Sequence, residues 1–453
     1  MKVAILGFGR EGKSTLQYLK KSPKYKNAEI FILDRDPKTA ASAKYWASGA
    51  IAGKNYLKNL DQFNIVFRSP GIPYNLSEIK RALKKGVEFS SATKLFFEEI
   101  GKVVRRGSPL VIGITGTKGK GTTSTILYKI LKACGKNVHL AGNIGKPAIE
   151  ILPRLKKNPI VILELSSFQL QDFNPQSGGP DIAAAVDTFP DHMDVHKNFK
   201  EYFDSKTNIA KYQRKVDKIF YFSGNKYSKL IALKSRGKKI AVNEKSANSR
   251  EWWNSFENKL KIPGEHNLKN AVMAATIAES LGCPNKKILD VVKKFKGNEH
   301  RLELARKIMV RQAHHKSAIY FYNDSASTNP QTTAAAVKSF KEPIILIAGG
   351  KDKKLNYSPL KKALKESSVK LVILFGENKG KIAKQVKSSK YKTMRVKNLK
   401  IAVSLAYKEA KLLAAYYKLP TIIIFSPAAA SFDMFKDYKE RGEIFKKIVK
   451  RLK

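Results

Sequence analysis

Short apolar runs rich in β-branched residues alternate with helix-like patterns along the whole chain. Parallel strands need a long crossover between them, commonly a helix, so this alternation predicts an α/β fold with mainly parallel sheets covered on both faces. Ligands are then expected at the carboxyl ends of the strands. The apolar runs occupy residues 3–6, 30–33, 65–67, 110–114, 160–163, 344–347, 371–375 and 421–425.

The 453 residues exceed what one hydrophobic core usually supports, and about 100–200 residues per domain predict two to four domains. The alternation changes character near residues 91–93, where a helical segment leads toward the strand at 110–114. It changes again near residues 296–301, before shorter strands that lead to Asp324. We therefore expect three domains.

The chain carries 87 Lys and Arg against 37 Asp and Glu, a net charge of +50. Such an excess attracts phosphates, acidic ligands, nucleic acid and anionic surfaces. The lysines are spread along the sequence, which favours a lysine-rich solvated surface. No clustered basic stripe with interleaved aromatics is evident, so no specific nucleic-acid partner is expected, although a basic P-loop nucleic-acid-binding ATPase stays the alternative from another functional class.

Cysteine content and hydropathy indicate the cellular compartment of the protein. Cys134 and Cys283 are the two cysteines of the chain, and neither has a neighbour at metal-binding spacing, so no disulfide framework or zinc site is indicated. No run approaches the roughly 20 apolar residues of a membrane-spanning helix. We expect a cytoplasmic protein without membrane insertion.

A glycine turn follows the first apolar run. Gly7, Gly9 and Gly12 form the pattern G-x-G-x-x-G, and Asp34 ends the next run. Such a turn lets a pyrophosphate approach the backbone at a helix N-terminus. The pattern predicts nucleotide binding and, taken alone, a nicotinamide-dependent dehydrogenase. A glycine turn that only packs strand on helix is the alternative.

A second glycine loop, GITGTKGKGTT at residues 113–123, lies between an apolar run and a helical pattern. It departs from the Walker pattern because Ile114 replaces the first glycine and Gly121 replaces the hydroxyl residue after Lys120. Magnesium ligation would then shift to Thr122. We predict that the loop binds ATP through Gly116, Thr117, Lys118, Gly119, Lys120, Gly121, Thr122 and Thr123.

Further segments add to this loop and together resemble the Mur ligase family. They are GNIGKPAIEIL at 142–152, LELSSFQL at 163–170, DHMD at 191–194, GEHNLKNA at 264–271, HRLE at 300–303, YNDSASTN at 322–329, AGGKD at 348–352 and SPAAASFDMFKDYKERG at 426–442. LELSSFQL and SPAAASFD resemble the D-glutamate-adding members most. The resemblance covers nearly the whole chain.

The resemblance implies three domains, two of them Rossmann-like and flanking a central P-loop ATPase domain. It places a UDP-sugar domain at 1–92, an ATP domain at 93–298 and an amino-acid domain at 299–453. The first glycine turn would hold a UDP diphosphate. The residues implied around the uridine and phosphates are Arg10, Glu11, Asp34, Arg35 and Ser69.

The implied reaction adds D-glutamate to UDP-N-acetylmuramoyl-L-alanine through an acyl phosphate, in peptidoglycan synthesis. It uses ATP and Mg²⁺ at two sites, so positioning and charge neutralisation dominate. The implied catalytic residues are Lys120, Glu164, His192 and Lys206, and the implied metal ligands are Thr122, Glu164, His192 and Lys206. An ammonium offers no lone pair, so Lys206 would act as a metal ligand only after carbamylation.

The remaining contacts are also implied by the resemblance. Asn143 would bind the muramoyl substrate. ATP would further contact Asn267, Asn270, Arg301 and Asp324, and D-glutamate would contact Thr328, Lys353, Ser431, Phe432 and Tyr438. Lys351 and Lys354 flank Lys353, and the sequence leaves open which of the three points inward. Ala326 replaces a lysine that is frequent in the family, which leaves the amino-acid specificity open.

The expected partners are therefore small-molecule substrates of a monomeric enzyme. Gly121 makes the phosphate loop resemble that of the folylpolyglutamate synthases, which add glutamate to folates. Another Mur-type or folylpolyglutamate-type amide ligase is thus the nearest alternative, and the N-terminal glycine turn ahead of the ATP loop argues against the folate version.

Overall fold

The computed structural model describes residues 1–43, 46–102, 109–191, 195–257, 259–312, 315–353 and 355–452. It divides into two compact units. The first comprises Met1–Glu257 with Lys269–Val292, and the second comprises Asn258–Leu268 with Lys293–Lys453. Within the described ranges, every helix is too short or too polar to cross a membrane.

The first unit contains a five-stranded parallel sheet of order β3-β2-β1-β4-β5. Its strands are β1 (Lys2–Leu6), β2 (Glu29–Asp34), β3 (Gly49–Ala52), β4 (Ile65–Arg68) and β5 (Glu88–Ser90). The accompanying helices are α1 (Arg10–Leu19), α2 (Pro37–Ala43), α3 (Ser77–Lys84) and α4 (Ala92–Ile100). The carboxyl end of β1 leads directly into the first glycine turn.

A second sheet of the same unit has six parallel strands in the order β11-β10-β9-β6-β8-β7. The strands are β6 (Leu110–Thr115), β7 (Val138–Gly142), β8 (Ile160–Glu164), β9 (Ile182–Ala185), β10 (Lys218–Phe222) and β11 (Lys238–Val242). Its helices, and the three that follow its last strand, are α5 (Lys120–Ala133), α6 (Ser167–Leu170), α7 (Phe199–Lys211), α8 (Lys226–Ala232), α9 (Arg250–Phe256), α10 (Glu265–Ser280) and α11 (Asn285–Lys294). The central strands β6 and β8 carry the phosphate loop and Glu164 at their carboxyl ends.

The second unit contains a six-stranded sheet of order β12-β13-β17-β14-β15-β16. The strands are β12 (Glu303–Gln312), β13 (His315–Asn323), β14 (Ile344–Ala348), β15 (Val369–Leu374), β16 (Lys392–Arg395) and β17 (Thr421–Phe425). The helices are α12 (Pro330–Val337), α13 (Ser358–Glu366), α14 (Lys379–Val386), α15 (Leu399–Tyr417) and α16 (Tyr438–Lys450). Among the described residues of this unit, the strand pairs are parallel except β12 with β13.

The predicted α/β class and all eight predicted apolar strands are confirmed. These strands are recognisable because both faces of a parallel sheet are covered, and β8, β14 and β17 are buried at every position. The expectation of shorter strands before Asp324 was wrong, since β12 and β13 have 10 and 9 residues. Their lysine, arginine and glutamine residues interrupt the apolar run and hide its length. The boundaries at 92/93 and 298/299 stay predictions.

A buried ion pair connects the two sheets of the first unit. Arg68, at the end of β4, is 1% exposed, and its Nη2 donates to both carboxylate oxygens of Asp172 at 3.1 Å. The same nitrogen donates to the Phe168 carbonyl oxygen at 3.1 Å, and the Tyr74 hydroxyl donates to Asp172. The segment that follows β8 is therefore fixed to the first sheet.

Removing one partner of this pair should be costly. In Asp172→Ala the Arg68 guanidinium stays buried without its carboxylate, so the free energy of unfolding should fall by about 3–5 kcal/mol in urea denaturation. Asp61→Ala, which breaks an ion pair with the exposed Lys85, is the matched control. Its free energy of unfolding should stay close to that of the parent chain. Equal effects in the two variants would contradict the assigned role of the buried pair.

Candidate active site

The phosphate loop joins β6 to α5 and needs glycine at two positions. Gly116 and Gly119 have φ values of 148° and 91°, in the region that favours glycine. A Cβ atom on Gly119 would also lie 2.2 Å from the Asn270 Oδ1 atom. The loop therefore passes close to α10, and no larger residue fits at position 119 without displacing Asn270.

The N–H groups of the loop divide into two sets. Those of Thr117 and Lys118 both donate to the Asp187 carbonyl oxygen, at 2.7 and 3.0 Å, which holds this part of the loop against the segment after β9. The N–H groups of the first three residues of α5 have no acceptor within the helix, as at any helix start. Such N–H groups and the helix dipole attract anions, so the start of α5 is the part of the loop that is suited to bind one.

Two lysine side chains converge on one carbonyl oxygen of the loop. Lys206 of α7 is 2% exposed, and its Nζ donates to the Gly116 oxygen at 2.8 Å. Lys120 donates to the same oxygen at 2.9 Å. Burial, and secondarily the charge of Lys120, lower the pKa of Lys206 well below the usual lysine value. This environment favours the uncharged amine of Lys206.

Two acidic groups face the same cluster. Asp191 and Glu164 act on Lys206 in the opposite direction, raising its pKa, so both lie within electrostatic range of its amine. Glu164 ends β8, is 3% exposed, and accepts a hydrogen bond from Asn143 Nδ2 at 2.9 Å. The structure thus brings together three of the predicted catalytic residues, Lys120, Glu164 and Lys206. The fourth, His192, lies outside the described residues, as does Asp194.

A hydroxyl network under the loop was not predicted from the sequence. Thr117 Oγ1 donates to the Phe189 carbonyl oxygen at 2.7 Å, accepts from the Phe189 N–H at 3.0 Å, and lies 2.7 Å from the Tyr202 hydroxyl. The Tyr202 ring in turn lies 4.7 Å from the Lys206 amine. A neutral tyrosine and a backbone carbonyl acceptor do not belong to any recognisable sequence motif, so the sequence gives no signal for this network.

The donor set at the loop fits a hard divalent cation. Mg²⁺ prefers oxygen ligands such as carboxylates and hydroxyls, and the buried Glu164 carboxylate lies at the end of the strand beside β6. Thr123 Oγ1 is engaged with Asn270 Oδ1 at 3.3 Å. Thr122, half-buried in the first turn of α5, is therefore the hydroxyl residue better placed for a metal.

The N-terminal glycine turn is closed by two of the predicted substrate residues. Gly7 has φ 88°, and a Cβ on Gly12 would lie 2.1 Å from the Gly7 oxygen, so both positions require glycine. The Phe8 N–H donates to Asp34 Oδ2 at 2.6 Å, and Ser69 Oγ donates to the Gly7 oxygen at 2.8 Å. Asp34 and Ser69 thus lie at the turn that is expected to bind the diphosphate.

The first turn of α1 reaches the segment that contains Asn143. Arg10 Nη1 donates to the Gly145 oxygen at 2.7 Å, and its Nη2 lies 3.5 Å from the Gly142 oxygen. The two carbonyl groups flank Asn143, which is itself bonded to Glu164. Arg10 and Glu164 are therefore joined through residues 142–145 in one hydrogen-bonded network. Arg35 is exposed beyond β2.

Glu11 is an unusual carboxyl group in this network. Its Oε1 accepts from Gln169 Nε2 at 2.8 Å, whereas its Oε2 is buried without a hydrogen-bond partner among the described residues. Burial raises its pKa from 4.5 to about 6, although the Gln169 bond acts to lower it. A buried carboxyl with spare acceptor capacity at the glycine turn is a candidate to receive a substrate donor.

The raised pKa of Glu11 predicts a pH-dependent stability. The folded state binds this proton more tightly than the unfolded state, so stability is lost as pH rises from about 4.5 to 6. Glu11→Gln cannot ionise, and at about pH 8 it should be more stable than the parent chain by about 2 kcal/mol, with no difference near pH 4. Urea denaturation across this range measures the effect. The exposed Glu29→Gln is the control, and a pH-independent difference for Glu11→Gln would contradict the assignment.

The remaining predicted ATP contacts fall in both units. Asn270 lies against the phosphate loop in the first unit. In the second unit, Asp324 is 5% exposed and accepts hydrogen bonds from the Leu302 N–H and from the Ser426 hydroxyl, at 3.2 and 2.7 Å. Arg301 is exposed, and Asn267 Nδ2 donates to the Pro263 oxygen at 2.6 Å.

The predicted amino-acid pocket residues differ in exposure. Ser431 is 2% exposed and Phe432 is 66% exposed. Thr328 and Tyr438 are half-buried, and Lys353 is exposed. Lys351 forms an ion pair with Glu377 at 2.6 Å, which favours Lys353 as the lysine available to a ligand, and Lys354 lies outside the described residues.

Arg441 is a buried cation that the sequence reasoning missed. It is 0% exposed, and its three guanidinium nitrogens donate to the Ser325 hydroxyl, the Ser325 oxygen and the Ala429 oxygen at 2.8–3.0 Å. Burial lowers its pKa to about 10, so it remains charged at neutral pH. It holds together the loops after β13 and β17, which carry Thr328 and Ser431.

Comparison with known proteins identifies a family model for the central part of the chain and relatives that match nearly all of it. A model of the Mur ligase middle domain matches residues 114–278. The UDP-N-acetylmuramoylalanine–D-glutamate ligase of Acetivibrio thermocellus is 34% identical over 99% of this chain and 96% of its own length. The protein of that name from Symbiobacterium thermophilum is 30% identical over 100% and 98%.

Solved structures agree at the level of the fold. The UDP-N-acetylmuramate-alanine ligase MurC of Thermotoga maritima has a TM-score of 0.55 at 14% identity, covering 99% of each chain. The MurF ligase of the same organism, solved with ADP, has a TM-score of 0.56 at 15% identity, covering 99% of this chain and 95% of its own.

Proposed function

The chain belongs to the Mur ligase family, among its UDP-N-acetylmuramoylalanine–D-glutamate ligases, and from this premise we propose that it adds D-glutamate to UDP-N-acetylmuramoyl-L-alanine. The reaction consumes ATP and serves peptidoglycan synthesis. The observation that carries the proposal is the convergence of Lys120, Glu164 and Lys206 on the phosphate loop. The proposed enzyme is a cytoplasmic monomer.

The chemistry requires activation of a carboxylate. A carboxylate oxygen of the nucleotide-linked alanine attacks the γ-phosphorus of ATP, the bond to ADP breaks, and an acyl phosphate forms. The amine of D-glutamate then attacks the acyl carbon, loses a proton, and phosphate leaves. The N–H groups at the start of α5, which have no acceptor within the helix, would hold phosphate oxygens. Lys120 would leave the Gly116 and Thr117 carbonyl oxygens and bind phosphate oxygens as negative charge develops.

The proposal also assigns the metal ligands. Mg²⁺, when bound, neutralises the phosphate charge and orients the reacting oxygens. Glu164 and Thr122 would hold one ion on the nucleotide. His192 and a carbamylated Lys206 would hold a second one. Asn143, which bonds the Glu164 side chain, keeps that carboxylate directed toward the loop.

Carbamylation is the chemical step that the environment of Lys206 favours. The uncharged amine nitrogen attacks the carbon of CO₂ and releases one proton, which leaves a carbamate anion. The depressed pKa of Lys206 supplies the reactive amine, and its burial protects the product from water. The new anion is compensated by the neighbouring Lys120.

The substrate contacts complete the proposal. The UDP part would lie at the glycine turn, with its contacts drawn from Arg10, Glu11, Asp34, Arg35 and Ser69. The alanyl carboxylate would lie near Asn143. D-glutamate has two carboxylates to neutralise, and its contacts would be Thr328, Lys353, Ser431, Phe432 and Tyr438. ATP would further contact Asn267, Asn270, Arg301 and Asp324.

Substrate selection tests this proposal directly. The purified chain with ATP, Mg²⁺ and UDP-N-acetylmuramoyl-L-alanine should release phosphate when D-glutamate is added, and the product should be heavier by one glutamyl residue. L-glutamate and other amino acids should give background rates. Turnover with another amino acid, or with a folate acceptor, would contradict the assigned substrate specificity. Phosphate release that depends on nucleic acid would instead support the basic ATPase alternative.

Carbamylation of Lys206 can be tested by NMR spectroscopy and by substitution of this lysine. With ¹³C-labelled bicarbonate, the parent chain should show a carbamate carbon resonance that Lys206→Ala lacks. The same variant should lose at least about 100-fold in kcat, and short carboxylic acids should partly restore it by replacing the carbamate oxygens. Lys211→Ala, at an exposed lysine in the last turn of the same helix, is the matched control and should keep both properties. An unchanged resonance in Lys206→Ala would refute the assignment.

A further inference from the structure

A buried histidine lies beside the candidate active site without belonging to any of the predicted contacts. His196 is 2% exposed and lies in the segment that leads into α7. Its Nε2 atom and the hydroxyl of Ser167, which is also 2% exposed, share a hydrogen bond of 3.0 Å. Ser167 begins α6, shortly after Glu164 at the end of β8. This bond therefore joins the segment that follows β8 to the chain that enters α7.

The imidazole ring of His196 also packs against two aromatic rings. It stacks on Phe168 with ring centroids 5.0 Å apart and an interplanar angle of 8°, and it meets the Tyr202 ring at 5.3 Å and 77°. Its Nδ1 atom lies 3.5 Å from Gln171 Nε2 and 3.7 Å from Glu201 Oε1. Phe168 and Gln171 belong to α6 and its end, whereas Glu201 and Tyr202 belong to the start of α7. The ring therefore fills the space between these two segments.

Each of the two segments is connected to a different part of the first unit. The Phe168 carbonyl oxygen accepts a hydrogen bond from the buried arginine of β4, which holds α6 to the first sheet. The Tyr202 hydroxyl lies 2.7 Å from Thr117 Oγ1 of the phosphate loop, and its ring lies 4.7 Å from the Lys206 amine one turn further along α7. His196 thus lies at the contact between a segment held to the first sheet and the residues beside the loop.

We propose that His196 is a positioning residue of the ligase reaction, which sets the place of Tyr202 and Lys206 beside the phosphate loop through its hydrogen bond with Ser167. It acts through α7 and is not itself a catalytic residue. A helix transmits a displacement of its first turn to the next turn, and an error of about 1 Å at a reacting group can cost on the order of 100-fold in rate. The inference rests on the proposed function, because that function assigns Lys206 a part in the reaction.

The rate of the folded molecules distinguishes this role from simple core packing. A histidine that only fills the core contributes to stability, so its loss lowers the free energy of unfolding while the molecules that remain folded turn over at the parent rate. A positioning histidine also changes kcat, which is measured at saturating substrate. The KM values depend on the loop and the glycine turn, which hold the substrates, and should change little.

Two substitutions remove the hydrogen bond from its opposite ends. His196→Phe keeps an aromatic ring between Phe168 and Tyr202, and Ser167→Ala leaves the histidine in place. Each should lower kcat for D-glutamate addition by about 10-fold, the kinetic equivalent of one hydrogen bond. The KM values for ATP and for UDP-N-acetylmuramoyl-L-alanine should stay within about twofold of the parent values. The double variant should lose no more than either single one, since both substitutions remove the same bond.

A conservative variant and a destabilised control complete the kinetic test. His196→Gln keeps a hydrogen-bonding group for Ser167 and should recover kcat to within about threefold of the parent chain. Ile288→Ala removes a buried apolar side chain from α11, a helix that carries none of the predicted site residues. It should lower the free energy of unfolding and leave kcat unchanged.

Carbon NMR with ¹³C-labelled bicarbonate reports on Lys206 without turnover. At a bicarbonate concentration that half-saturates the parent chain, His196→Phe and Ser167→Ala should show a weaker carbamate resonance. The reason is that a displaced amine loses the buried environment that favours its uncharged form. Ile288→Ala should match the parent resonance.

The outcomes separate this proposal from the proposed function. Turnover of the parent chain with D-glutamate establishes the function in the same experiment. Parent values of kcat in His196→Phe and Ser167→Ala, or losses that add in the double variant, would then overturn the positioning role alone. A parent chain without turnover would refute the function, and an equal carbamate resonance in parent and variants would overturn the role of His196 as well. If one single variant folds poorly, the other carries the test.

Discussion

Two lysine amines share one backbone carbonyl at the phosphate loop, and the arrangement of the first unit depends on that constraint. Gly116 presents the carbonyl oxygen, Lys120 approaches it from α5, and Lys206 approaches it from α7. Water could not screen two ammonium groups so close together in a buried site, so one of them favours the uncharged form. Glu164 and Asp191 supply the opposite charge. The closeness of the two amines costs stability, but it also favours the uncharged, reactive form of the Lys206 amine.

Most of the fold could be predicted from the sequence because its strands are buried on both faces. An apolar run such as β14 carries its own signal, and the helices between runs imply the parallel connections. The hairpin of β12 and β13 could not be predicted at its true length, since its residues alternate between covered and solvated faces. The buried Arg68–Asp172 pair was also missed. An arginine within an apolar strand indicates a buried partner, but nothing local identifies Asp172, which lies 104 residues away.

The candidate site was predictable where a residue belongs to a motif. Lys120, Glu164 and Asn143 could be predicted because each lies in a recognisable sequence motif. The structure places them in the same region of the first unit. Tyr202, Arg441 and the carbonyl of Asp187 were missed because they act through packing and backbone contacts made only in the folded chain. The spread of positive charge offered no help, since composition cannot distinguish the buried Lys206 and the half-buried Lys120 from the many exposed lysines.

The transfer of oxygen between substrates tests the central claim most directly. UDP-N-acetylmuramoyl-L-alanine labelled with ¹⁸O in its carboxylate would be converted with ATP and D-glutamate, and the released phosphate analysed by mass spectrometry. An acyl phosphate intermediate moves one carboxylate oxygen to phosphorus, so each phosphate released should carry one ¹⁸O atom. Phosphate without the label would show that the carboxylate never attacked phosphorus, and would contradict the mechanism assigned to the phosphate loop and its lysines.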